Sequence, residues 1–137
     1  MKQLPIKYNR FVPMKGYFAI CLFGTIFIRD YNKNVAVSKK TINHEGIHLC
    51  QIEDFIPNND NKKWKTILGG CIFYIIYFIE WLIKLLLSAF TLGKIKAYYS
   101  ISFEQEAYNN ASNFKYQDSR NRFEWLKYVF KVIKDEV

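Results

Sequence analysis

Both histidines of this 137-residue chain fall within five residues of each other, in the segment Asn43-His44-Glu45-Gly46-Ile47-His48. The spacing is His-Glu-x-x-His. On a helix, residues four apart share a face, so both imidazoles can reach one Zn2+ at ~2.0–2.1 Å. Glu45 follows the first histidine on the same side of the helix, where its carboxylate can reach a water held by the ion rather than the ion itself. Zinc acidifies such a water, and the carboxylate takes its proton as the water attacks a carbonyl. His44 and His48 are therefore candidate metal ligands and Glu45 the candidate catalytic base.

A hydrolytic zinc site needs three protein ligands and one open position. The chain has no third histidine. A metzincin-type site would also want Gly three residues after His48, where Gln51 stands, and without that turn Asp54 cannot be brought round to the ion. The third ligand is expected to be a distant carboxylate. Ser102-Phe103-Glu104-Gln105-Glu106-Ala107-Tyr108-Asn109-Asn110 is the best source. The helical wheel does not separate Glu104 from Glu106, because both flank the stripe Phe103/Ala107/Ala111/Phe114.

That segment resembles the second motif of gluzincins, in which a helical Glu binds zinc and an acidic or amide residue four positions later contacts a ligand histidine. The resemblance implies Glu106 as ligand, with Glu104 as the alternative. It also implies Asn110 as the residue whose amide oxygen accepts the free imidazole N–H. The order of an apolar hairpin, Asn-His-Glu-x-Ile-His-x-x-Gln, an aromatic-rich helix and Ile-Ser-Phe-Glu-x-Glu-Ala-Tyr is similar to a group of small bacterial gluzincin-like proteins. These are related in pattern to the CAAX-prenyl-protease-like peptidases. The likeness covers nearly the whole chain. It implies a minimal zinc metallopeptidase scaffold for a peptide or protein substrate, and names no particular substrate.

These residues need a frame. At 16.4 kDa, half hydrophobic and 18% aromatic, the chain suits one domain over 1–137 with a real core. Tyr17 to Arg29 is strand-like, with Gly24 a bend or bulge. Asp30 to Asn34 is turn chemistry, and Val35-Ala36-Val37 is expected to return as a short strand. Ser38 can cap a helix from about Lys39 to Ile56, burying Ile42, Leu49 and Ile56 along one stripe beside a second stripe of His44, His48, Gln51 and Phe55. Ser102-x-x-Gln105 reads as a capping box, and a last amphipathic helix after Ser119 is expected to bury Phe123, Leu126, Phe130 and Ile133. The expected fold is α+β and mainly helical, a small antiparallel hairpin or sheet on a helical bundle around the HExxH helix.

Ile67 to Leu92 is almost wholly apolar, broken by Glu80 and Lys84. It is long enough to cross a bilayer, but a single span would put His48 and residue 106 on opposite sides. A shared zinc therefore makes it a core helix backing the active-site helix, with peripheral membrane contact as the second choice. Tyr77 and Thr91 extend the narrow polar stripe of Glu80 and Lys84.

Twenty Lys+Arg against twelve Asp+Glu give a net charge of +8. The basic residues are scattered rather than interleaved with stacking aromatics, which argues against a nucleic-acid surface. Three cysteines without a CxxC point to a reducing compartment. The first apolar stretch, Tyr17 to Phe23, comes late for a secretory leader and is followed by no cleavage site. A cytoplasmic protein, in part at the membrane surface, is the expectation. Tyr98, Tyr99, Tyr108 and Arg120 are candidate donors to an oxyanion or to substrate. The competing functional reading is a catalytically silent module on the same scaffold.

Overall fold

The computed structural model describes residues 5–13, 18–29, 36–56 and 63–134. The fold is α+β and mainly helical. Strands β1 (Ile6–Asn9), β2 (Ala19–Leu22) and β3 (Thr25–Arg29) form a sheet in the order β1-β3-β2. Alternation in β3 sends Ile26 and Ile28 fully inward, and this strand occupies the centre. β2 and β3 make the expected hairpin inside Tyr17–Arg29, turning at Phe23 and Gly24, both with positive φ.

Two features of the sheet differ from expectation. β1 pairs parallel to β3, so the sheet is mixed rather than antiparallel. Ala36 and Val37 are not in a strand, while Val35 and the turn before it lie outside the described residues. β1 closes the edge of β3 that a return strand would have taken.

Helix α1 (Lys39–Glu53) starts as its sequence dictates, Ser38 Oγ accepting the Thr41 N–H at 3.0 Å. It ends at Glu53, three residues before Ile56. Ile42, Leu49 and Ile56 are only half-buried, whereas Asn43, Ile47 and Gln51 are fully enclosed. The deepest side of α1 is therefore largely polar. Its amides serve to join α1 to the next helix but one.

Helix α2 (Lys63–Phe90) runs 28 residues and backs α1 by one stripe. Gly70 lets the Phe23 ring approach where a Cβ would stand 2.7 Å from it, and Tyr74 donates to Cys21 O at 2.9 Å, so α2 also holds the hairpin. Phe73, Phe103, Ile52, Ile101 and Trp125 form the apolar core between α1, α2 and helix α3 (Ser102–Asn110). The rest of α2 is not a core helix in the expected sense, because its outward side is exposed. By length and composition it could cross a membrane, a test that the core helix of a soluble protein also passes.

Glu80 and Lys84 do more than face each other. Glu80 accepts the Ser102 N–H at 2.9 Å and the Ser102 hydroxyl at 2.6 Å. It caps the start of α3 from another helix, in place of the expected Ser102–Gln105 box. Gln105 instead donates its amide to Ser100 O and Lys131 O. Lys84 Nζ donates to Val129 O and Lys131 O, satisfying the end of a 3-10 turn at Glu124–Tyr128.

That turn replaces the expected final helix. After the short helix α4 (Tyr116–Ser119), Phe123 takes a left-handed conformation that breaks the helical path. Trp125 swings into the core against Phe103, their rings 4.4 Å apart. Phe123, Leu126, Phe130 and Ile133, the face expected inside, are exposed, Phe130 at 96%.

Candidate metal centre

α1 presents His44 and His48 one turn apart, and α3 crosses it so that Glu104 faces both rings. The two Nε2 atoms lie 3.2 Å apart. Glu104 Oε2 stands 3.4 Å from His44 Nε2, and Glu104 Oε1 stands 3.4 Å from His48 Nε2. Ligands at ~2.0–2.1 Å from a tetrahedral Zn2+ are about 3.3 Å from one another, so this triangle has the dimensions such an ion requires. The chemistry of the donors agrees: two imidazoles and a carboxylate, enclosed, with one side open to a cleft.

Hydrogen bonding fixes which atoms face inward. His48 Nδ1 is 2.8 Å from Gln51 Oε1, an acceptor, so Nδ1 carries the proton and Nε2 keeps its lone pair for the shared centre. Tyr77 donates its hydroxyl to Glu104 Oε1 at 2.9 Å. Glu104 Oε2 is buried with no hydrogen-bond donor among the described residues. Such an atom is costly unless something positive reaches it.

The electrostatics follow from that arrangement. Burial alone would lower the His48 pKa, but the adjacent Glu104 carboxylate outweighs it and raises the value to about 9. Burial would likewise raise Glu104, and the two imidazoles override it, holding the carboxyl well below the usual range. Glu45 is buried beside them and its pKa is raised, by desolvation first, with the histidines pulling the other way. A carboxylate lifted in this way is poised to accept a proton and release it again.

Glu106, implied as a ligand, is brought elsewhere. It projects from the opposite side of α3 and is fully enclosed by donors: Gln51 Nε2 at 2.9 Å, the Tyr116 hydroxyl at 3.0 Å, and Arg120. Arg120 also grips Asp54 with both terminal nitrogens, at 2.9 and 2.7 Å. It is thus locked between two carboxylates and does not supply the oxyanion donor expected of it. Asn110 donates to Glu106 O at 2.8 Å and does not meet a histidine. Gln51 does that instead, linking His48 to Glu106.

Two residues in this network were not among the candidates. Asn43 donates its amide toward the carbonyls of Asn110, Ala111 and Asn113, at 3.2, 2.9 and 3.0 Å, and so ties the end of α3 to α1. Gln51 adds a bond to Phe103 O at 3.1 Å. These two amides bracket the histidine pair and set the distance between α1 and α3. Their signal was available: both are polar, and both sit on the deep side of an otherwise amphipathic helix.

A cleft crosses the site. One half, about 420 Å3, lies between β2 and α2 and is lined mostly by apolar side chains, among them Ile20, Leu22, Phe73, Phe78 and Trp81. The other, about 550 Å3, runs past Lys40, Tyr98, Tyr99 and Tyr108. His44, Glu45 and Tyr98 border both halves. The Tyr108 ring packs on His44 at 4.5 Å, and burial followed by the Glu104 charge raises its hydroxyl pKa to about 12. The three tyrosines are therefore collected at the cleft, whereas Arg120 is held on the far side of α3 by Asp54 and Glu106.

Comparison with family models, with curated proteins and with solved structures finds no match to this chain.

Proposed function

We propose that this protein is a zinc-dependent hydrolase of peptide bonds, with His44, His48 and Glu104 as the residues that would hold the ion. One observation carries the reading. A buried carboxylate with no Lys or Arg partner among the described residues faces two imidazole nitrogens at ligand spacing, beside a second carboxylate of raised pKa, in an open cleft. When bound, Zn2+ supplies Lewis acidity that acidifies water and polarises a carbonyl. Glu45 takes the proton of the attacking water on its carboxylate and returns it to the leaving amine. Tyr98 and Tyr108, which border the cleft, would donate to the oxygen that gains charge. β2 is the sheet edge beside the cleft, and an extended peptide could lie along it by adding a strand.

The test is metal content followed by turnover. The purified protein should retain close to one zinc per chain, and chelation should abolish hydrolysis of a peptide library. Glu45→Gln should keep the zinc and lose at least ~100-fold in rate, the lower end of general-base contributions. Protein that binds no zinc, or equal hydrolysis by both forms, would end this reading.

A further inference from the structure

Helix α2 is built inside out. Between Ile67 and Leu92 the chain has only two charges, Glu80 and Lys84, and both face the domain, where they cap α3 and the 3-10 turn. The outward face carries Ile75, Ile79, Leu82, Ile83 and Leu86 at 59, 51, 42, 51 and 52% exposure, with no charge among them. An exposed apolar patch of this extent on a helix about 42 Å long marks an interaction surface.

The features around the patch say what covers it. Its ends carry amphipathic and basic residues: Trp64, 58% exposed with Lys65 near its ring, at one end, and Lys94 and Lys96 beyond the other. Indole rings and lysines at the margins of an apolar surface match the boundary between acyl chains and headgroups, and a net charge of +8 complements anionic lipid.

Crossing the bilayer does not fit. The domain grips α2 along its length, from Gly70 and Phe73 through Tyr77 and Glu80 to Lys84 and Ser88. A span would drag the charged surfaces of that domain into hydrocarbon.

We infer that α2 lies flat in the interface of an anionic membrane, with its outward face immersed. The apolar surface continues onto Phe11, Ile20 and Phe78, which border the cleft, so the cleft opens at the level of the lipid. A substrate segment that is itself apolar and membrane-associated would enter from there. The docking does not depend on the zinc reading; the nature of that substrate does.

Flotation of the full chain with vesicles of phosphatidylcholine and phosphatidylglycerol at about 3:1 tests it. Wild type should float with these vesicles and several-fold less with phosphatidylcholine alone. Ile79→Asp/Ile83→Asp should reduce the floated fraction about tenfold or more, and Ile79→Ser/Ile83→Ser by less, with circular dichroism of both matching wild type. Glu104→Gln should float like wild type, which separates this inference from failure of the metal centre. Wild type that stays in solution, or an Asp variant that floats equally well, overturns it. So does a stable dimer joined through α2 that ignores lipid, or protein that resists alkaline carbonate as a spanning helix does.

Discussion

Glu104 and Glu106 are the same residue type, two positions apart on one short helix, and both are buried. Two residues of α-helix are about 200° of rotation, so the carboxylates leave α3 on opposite sides. Glu106 meets Arg120, a permanent cation, and every donor around it belongs to the chain. Glu104 meets two imidazoles and a phenolic hydroxyl, none of which is a fixed positive charge, and one of its oxygens has no hydrogen-bond donor among the described residues. Burial by itself therefore does not mark a metal ligand. What distinguishes the two is the kind of partner: Glu106 completes an ion pair with a permanent guanidinium, whereas Glu104 faces imidazoles whose proton a metal would replace under the proposed function.

The sharpest way to break this comparison is to exchange the roles by mutation. Glu104→Gln should lower zinc affinity well beyond the ~10–100-fold typical of residues that only support a ligand, whereas Glu106→Gln should stay within that range. Competition with a chromogenic chelator measures both, and the reverse order would return Glu106 to the ligand set.

On the other side of α3, Arg120→Met would strand the buried carboxylates of Asp54 and Glu106. The expected cost is ~3–5 kcal/mol of folding free energy, read from urea unfolding. A loss below ~1 kcal/mol would mean that this ion pair does not hold α3.

Gln51 joins the two clusters, and Gln51→Leu should act on both more weakly. Zinc affinity should fall by ~10–100-fold, because His48 loses the partner that fixes its tautomer. Unchanged affinity would show that the bond to Nδ1 is dispensable.

The mildest expected effect is one of pH, on protein stripped of metal. The folded His48 pKa, raised to about 9, lies above the ordinary value, because the Glu104 charge outweighs the opposing effect of burial. The stability this contributes is fully present below about pH 6.5 and is lost as pH rises through 9. Zinc affinity should run the other way, since the ion competes with that proton. Denaturant midpoints of the stripped protein at about pH 6.5 and 9.5 check the sign; equal or rising stability would contradict the pairing.

Much of the site could be read before the fold was known, and the reasons are local. Helical periodicity alone puts His44, Glu45 and His48 together, and Ser38 marks where their helix begins. That Glu104 rather than Glu106 faces the imidazoles could not be read, for an equally physical reason. Both flank the same apolar stripe, so the decision rested on Arg120 and Tyr77, which lie 14 residues after Glu106 and 27 before Glu104. The C-terminal segment shows the same limit: its heptad-like apolar spacing promised a helix, and a single indole packing against Phe103 outweighed it.

By itself, the sequence determined the periodic features: the strand alternation of β3, the capped HExxH helix, the length of α2 and the two charges within it. Tertiary structure alone decided which way those features face. It turned Glu104 rather than Glu106 toward the imidazoles, set Glu80 as a cap for another helix and left the apolar side of α2 outward. Periodicity depends on neighbours within a few residues, but orientation depends on partners supplied by distant segments, and no pattern along one helix contains them.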